Sequence, residues 1–175
     1  MAELKNERTK LLAYKDSYIW QLRQHLGQKK LLVPAAAIVV ENSHGHLLLQ
    51  QRADNKKWGF PGGGAEQNQG FAEIAINELK EETGLIVDKK DLTPFASLSQ
   101  PNDNTFHYPN GDVTHYFALC FLVKHWQGKL TPEPEESLDL RFFDTKSLPE
   151  NLSVGTSTLL NHLLEFNKSG CFQLG

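Results

Sequence analysis

This sequence predicts a layered domain, α/β or α+β, on three observations. Apolar runs of strand length follow one another with helical patterns between them, in a mixed order that calls for helices packed on a sheet. Val113–Val123 is almost wholly apolar, as in a strand covered on both faces. The length of 175 residues fits a single domain that can bury a core without staples.

Each element has its own signal. Residues 9–26 carry Leu12, Ile19, Leu22 and Leu26 at loosely helical spacing, with Gly27 placed to stop the helix. Lys29 and Lys30 lead into the apolar, β-branched run Leu31–Val40. Asn42-Ser43-His44-Gly45 is a turn and Leu47–Gln51 follows it, so the two runs read as a hairpin. Trp58–Phe60 is a short strand before the glycine cluster Pro61-Gly62-Gly63-Gly64. Residues 70–82 have helical periodicity, with Gly84 as the stop. Phe95–Leu98 is a strand. Asn110-Gly111, within Tyr108–Asp112, is a tight-turn signal. Asp139–Phe143 is another strand, and Val154–Phe166 a closing helix.

Composition narrows the function classes. Residues of the AVILMFWYC set make up 39% and charged residues 22%, the balance of an ordered globular chain. No apolar run approaches the ~18–20 residues of a membrane span, and Met1–Asn6 lacks the apolar segment of a signal peptide. Cys120 and Cys171 make neither a disulfide framework nor a zinc site, which fits a reducing, cytoplasmic home. The net charge of −3 argues against a nucleic-acid partner. Residues 1–30 hold seven Lys/Arg against three Asp/Glu, leaving eleven against eighteen in the rest. So acidic a body repels a phosphate-rich ligand unless a metal cation intervenes.

The chemistry concentrates in Gly62–Leu85. On a helix at roughly 100° per residue, Phe71, Ile74 and Ala75 form one stripe, which Glu78, Glu81 and Glu82 continue at i, i+3 and i+4. A solvated charged face is the plain alternative. Like charges at this spacing cost stability unless compensated, and a divalent cation is the simplest compensation. Three carboxylates without His or Cys form a hard oxygen site suited to Mg²⁺ or Mn²⁺. The glycines read either as a plain turn or as close backbone approach to a ligand or metal. Neither GxxxxGK[ST] nor GxGxxG occurs, so the P-loop and dinucleotide-fold readings fail.

The segment resembles the Nudix (MutT-like) hydrolases, whose box reads G-x5-E-x7-R-E-U-x-E-E-x-G-U with U aliphatic. Gly63, Glu78, Leu79, Glu81, Glu82, Gly84 and Leu85 match in register. Pro61-Gly62, Trp58-Gly59-Phe60 and Arg141-Phe142-Phe143 sit where the family's flanking elements would. Gln69 and Asn77 replace the usual Glu and Arg. An acid and a base are lost together, so no lone buried charge is left and the pair reads as neutralised scaffolding. The resemblance implies an α/β/α sandwich with a mixed sheet over residues 31–175, preceded by an N-terminal helical extension, residues 1–30.

It also implies Mg²⁺- or Mn²⁺-dependent hydrolysis of a nucleoside diphosphate linked to another group X. By the same resemblance Glu78 and Glu82 are the main metal ligands, Glu81 helps, and the backbone carbonyl of Gly62 is a further ligand. The general base in such enzymes is often a Glu of a later loop. In Thr131–Glu136, Glu136 ranks first and Glu135 second; an acidic surface loop is the alternative. Arg52 reads as a phosphate contact or a plain surface Arg, and Tyr108 as a pocket rim or part of a simple hairpin. Phe60, like Trp58, reads first as core, and as a substrate contact second. Lys56 and Lys57 read first as ordinary surface lysines, His115 as a satisfied core histidine, Cys120 as an inert buried thiol.

Ser99-Gln100-Pro101 matches only three residues of the motif of NADH pyrophosphatases, which rejects that subgroup. Pro101 lies sixteen residues past Leu85, similar to ADP-ribose hydrolases, but one proline does not choose the substrate: mutagenic nucleotides, nucleotide sugars and dinucleoside polyphosphates stay open beside ADP-ribose. The expected partner is a small nucleotide or nucleotide-diphosphate-X compound, with no nucleic acid and no membrane. A homodimer through residues 1–30 is a further expectation by resemblance, and packing of that segment on the core is its alternative. Gln69 and Asn77 keep open a second function class, a nucleotide-binding regulatory module of this fold with little catalysis. A structural interaction protein, with the carboxylate helix as decoration, is the third.

Overall fold

A computed structural model describes residues 17–108 and 110–175 of the chain. Helix α1 spans Tyr18–Leu26; Ser17 caps it by accepting from Trp20 N–H at 3.1 Å, and Gly27 ends it. The expected stretch 9–16 lies outside the described residues.

Strand β1 (Leu31–Val40) is the pivot of the sheet. It pairs in parallel with β8 (Val113–Val123), from Leu31 opposite Thr114 to Val40 opposite Val123. Its other edge takes β4 (Gly62–Gly64) antiparallel. The far edge of β8 takes β6 (Thr93–Leu98) and β7 (Thr105–His107), completing a five-stranded mixed sheet. The Tyr108–Asp112 turn joins β7 to β8, as its Asn-Gly pair predicts. A second sheet joins β10 (Ser137–Phe143), β2 (Leu47–Arg52) and β3 (Trp58–Gly59), and β5 (Leu85–Ile86) pairs with β9 (Gln127–Gly128).

The side chains of β1 and β8 alternate between two cores, as the period of a strand requires. Ile38, Val40, Phe121 and Val123 pack with Ile74, Ala75 and Leu79 of α2 (Phe71–Thr83). Val39, Cys120 and Leu122 face the other way, onto Phe95 and onto Leu159 and Leu163 of α4 (Thr156–Ser169). Helices on both faces of one sheet make the α/β/α sandwich. Leu79 is fully buried. Leu79→Ala is expected to cost about 2–5 kcal/mol, read as a lowered urea midpoint at unchanged slope.

Two expectations need correction. β1 and β2 do not form a hairpin. The turn is present, with a bridge between Glu41 and Leu47 and Asn42 Oδ1 accepting from the His44 and His46 N–H groups. Beyond it the strands part, because both edges of β1 are occupied by β8 and β4 and both edges of β2 by β10 and β3. The expected strand Trp58–Phe60 stops at Gly59, and Phe60 beyond it is half-buried, packed against the second core. The sequence reading also lacked the strand at Gly62–Gly64 and the short helix α3 (Pro101–Asn104). Among the described residues no helix is long and apolar enough to cross a membrane.

Candidate active site

Helix α2 carries the carboxylates. Gly84 ends it in the left-handed region at φ 74°, donating to Lys80 O at 2.9 Å. An apolar face anchors it: Ile74, Ala75 and Leu79 are buried in the sandwich, which leaves its C-terminal half against β4. Glu78 and Glu82 then line a cavity of about 980 Å³, within the size range of small-ligand sites.

The three glutamates of the stripe differ in setting. Glu82 is 4% exposed, Glu78 half-buried and Glu81 exposed. Glu81 does not line the cavity, although its charge acts on Glu78 and Glu136. Both oxygens of Glu82 are held. Gly62 N–H donates to Oε2 at 2.8 Å, and the fully buried Gln50 donates from Nε2 to Oε1 at 2.9 Å. Ser137 Oγ donates to Gln50 Oε1 at 2.7 Å, which turns the amide's NH₂ toward Glu82. Ser137 reaches this place beside a register shift between Ser137 and Asp139, the kind of irregularity that re-aims a side chain near a site. Gly62 must be glycine: a Cβ there would collide with the carbonyl oxygen of Ala36. A Cβ at Gly63 would meet the Glu78 carboxyl group.

The electrostatics follow from burial and crowding. Burial, with the charges of Glu82, Glu136 and Glu81, pushes Glu78 up to about 9. Burial raises Glu82 to about 7, against the pull of Arg52, Gln50 and the Gly62 N–H. Burial also lifts Glu136, with Arg52 opposing and Glu81, Glu133 and Glu135 adding to it. Burial works against the charge of Arg52, but its fork on Asp54, at 3.1 and 3.0 Å, holds it above its ordinary value. Ala53 N–H donates to Glu136 O at 2.8 Å, which brings the acidic loop beside Arg52.

These carboxylates crowd together with too little positive charge to balance them. An all-oxygen donor set of this kind fits a hard divalent cation. Among the described residues no three His, Cys, Asp or Glu side chains surround one point; of the stripe's three glutamates, Glu78 and Glu82 are the two on the cavity wall.

A pH dependence follows. Glu78 binds its proton more tightly folded than unfolded, between about 4.5 and about 9. In that window the folded state holds the extra proton, so stability without metal falls as pH rises. A cation held at Glu78 would compete with that proton. The rise in Tm on adding Mg²⁺ is therefore expected to be larger at pH 8.5 than at pH 6, checked by differential scanning calorimetry. An equal rise at both would contradict this.

Arg52, Phe60, Gly62, Tyr108, Glu135 and Glu136 also line the cavity. Lys56 and Lys57 are exposed and do not line it. Trp58 is buried, edge-on to Phe143 at 4.9 Å. His115 is a buried residue whose Nε2 lies 2.7 Å from Ser99 O. Burial pushes the Cys120 thiol up to about 12, so it is inert at neutral pH. Gln69 Oε1 accepts from Glu66 N–H at 3.0 Å, and Asn77 is exposed. Sequence reasoning missed Gln50, Ser137, Asp54 and the contribution of α1. Gln50 has a signal: a polar residue directly after Leu47-Leu48-Leu49.

Comparison with known proteins bears on this arrangement. A family model described as the NUDIX domain matches residues 31–163. An ADP-ribose pyrophosphatase of Methanocaldococcus jannaschii is 30% identical over 123 residues, covering 68% of this chain and 67% of that protein. An 8-oxo-dGTP diphosphatase of Proteus vulgaris is 32% identical over 111 residues, covering 61% of this chain and 87% of the other. The crystal structure of a MutT NUDIX hydrolase from Burkholderia pseudomallei shares the fold. Its TM-score is 0.64 at 21% identity, over 75% of this chain and 98% of that one.

Proposed function

The chain belongs to the NUDIX family and is a pyrophosphohydrolase, and from that premise we propose that it cleaves the pyrophosphate bond of a nucleoside diphosphate-linked compound with Mg²⁺ or Mn²⁺. The observation that carries the reading is the placement of Glu78 and Glu82 on the wall of a ligand-sized cavity that Arg52 and Glu136 share. Glu78 and Glu82 would hold the cation, with the carbonyl of Gly62 as a further ligand and Glu81 assisting through its charge from outside the cavity. When bound, the cation neutralises charge on the diphosphate and favours attack by water.

The chain's own residues do the rest. Arg52 binds a phosphate oxygen through its guanidinium, the group best matched to phosphate. Glu136 accepts a proton from the attacking water, and its raised pKa brings it nearer the range of an effective general base at neutral pH. Glu135 is the second candidate. The water oxygen bonds to phosphorus as the bridging P–O bond breaks, giving a nucleoside monophosphate and phosphorylated X. Phe60 and Tyr108 contact the remainder of the substrate.

The relatives' names point to ADP-ribose and to 8-oxo-dGTP as compounds to try first. The full chain is assayed by ³¹P NMR against these, nucleotide sugars and dinucleoside polyphosphates, with Mg²⁺ and with chelator. Cleavage of one class at the pyrophosphate bond, lost with chelator, supports the reading. A nucleotide-binding regulator is the second reading, favoured by Gln69 and Asn77 at the box positions. Calorimetric binding of one of these compounds without turnover would favour that reading.

A further inference from the structure

Part of the cavity wall lies outside the family match, which begins at residue 31. Helix α1 precedes it, yet Ser17 and Ile19 line the cavity. A Cβ on Gly64 would sit 3.0 Å from Ile19 Cδ1, so the glycine strand lets the helix come close.

The helix is tied down at both ends. At its start, Tyr18 N–H donates to both oxygens of Glu66, at 3.1 and 2.9 Å. At its end, Arg23 is buried at 8% exposure and donates to the carbonyls of Gly27 and Lys29, which fixes its own segment. Its Nη2 donates to Val113 O at 2.7 Å and Thr114 Oγ1 at 3.0 Å, and its Nε lies 3.6 Å from Asp112 Oδ2. Gln28 Nε2 donates to Asn110 O at 2.6 Å. At this end the long-range ties reach the first residues of β8 and, through Asp112 and Asn110, the 108–112 turn before it; Tyr108, Asn110 and Asp112 of that turn line the same cavity. A buried guanidinium is tolerated only where nearly all its donors are matched. The bonds of Arg23 therefore fix α1 against the start of β8, and its ion pair with Asp112, beside the Gln28 bond to Asn110, reaches the turn that leads into that strand.

We propose that α1 is a specificity element of the substrate site: Ile19 limits the room beside Gly64 for the group linked to the diphosphate, and Arg23 with Gln28 holds the 108–112 turn against the ligand. This rests on reading the cavity as the site of a nucleoside diphosphate-linked compound. Ile19 meets the ligand, whereas Arg23 and Gln28 are positioning residues that act through the turn.

The test uses the full chain with two compounds of the same nucleoside, a nucleoside diphosphate sugar and the bulkier dinucleoside diphosphate. Affinity is read as KM for a compound that is cleaved and as an inhibition constant for one that is not. Ile19→Trp is expected to weaken the bulkier compound at least tenfold more than the sugar, and Ile19→Ala to shift the ratio the other way. Arg23→Lys, which keeps the charge and loses the fork, is expected to raise KM for the cleaved compound about tenfold with kcat reduced less than threefold. Its Mn²⁺ affinity, read by electron paramagnetic resonance, should stay within twofold, because Arg23 acts on the turn and not on Glu78 or Glu82. An unchanged ratio in both Ile19 variants, or an Arg23→Lys loss confined to kcat or to Mn²⁺ affinity, would overturn the inference. Failure of the wild type to bind or cleave either compound would instead overturn the reading of the cavity.

Discussion

Glu82→Gln is expected to lower kcat about 10³-fold, roughly 4 kcal/mol of barrier, while the variant folds at least as stably as the wild type without metal. The two effects have one cause. Glu82 is nearly fully buried among other carboxylates, and its charge is costly to the fold unless a cation meets it. An amide of the same shape removes that cost. Its new NH₂ can be accommodated if Gln50 turns its own amide over, because Ser137 Oγ can accept as well as donate. The loss therefore falls on cation binding and turnover. Steady-state kinetics and a thermal melt in chelator, run on the same preparation, check both halves. Unchanged turnover would remove the assigned role, and a collapsed melt would make Glu82 a structural residue.

Glu136→Gln is expected to lower kcat by about 10²–10³, the usual range for a positioned general base, with KM and Mn²⁺ affinity little changed. Glu135→Gln is expected to cost less than fivefold. Both residues line the cavity, but Glu136 has its backbone carbonyl bonded to Ala53 N–H beside Arg52, and Arg52 acts on its carboxyl group. The pH profile distinguishes a base from a charge. Loss of the base flattens the rise of kcat/KM on the acid side. A uniform drop with the profile unchanged would assign Glu136 to binding, and a larger loss in Glu135→Gln would exchange the two roles.

The fold was legible where the signal is local. The α2 pattern, its Gly84 stop and the Asn-Gly turn at 110–111 are each set by residues within one or two turns of chain. The β1–β2 hairpin was misread because a turn signal fixes chain reversal and says nothing of which strands will occupy each edge. That choice is made by β8, more than seventy residues further along the chain. The helical arithmetic that put Glu78, Glu81 and Glu82 on one stripe was correct as angle. It could not tell which edge of the stripe turns toward β4 and which toward water, and the burial of Glu82 against the exposure of Glu81 is that difference. Arg52, Phe60, Tyr108 and Glu136 were singled out from spacing and resemblance, and the fold brings them to one cavity. Gln50 and Ser137 escaped notice because a buried polar pair earns its meaning from a carboxylate thirty-two residues beyond Gln50, with which it hydrogen-bonds. The share of α1 in the cavity rests on Arg23 contacts ninety residues apart, which no periodicity encodes.

Titration of Mn²⁺ into the full chain, followed by electron paramagnetic resonance in the wild type and in Glu78→Gln and Glu82→Gln, tests the account most directly. Mn²⁺ reports on the same hard oxygen donors that Mg²⁺ would use. The account predicts saturable binding in the wild type, weakened at least tenfold by each substitution and retained in the exposed-site control Glu165→Gln. Binding of equal strength in all of these proteins would contradict it, and would leave the carboxylate helix without the cation on which the proposed hydrolysis depends.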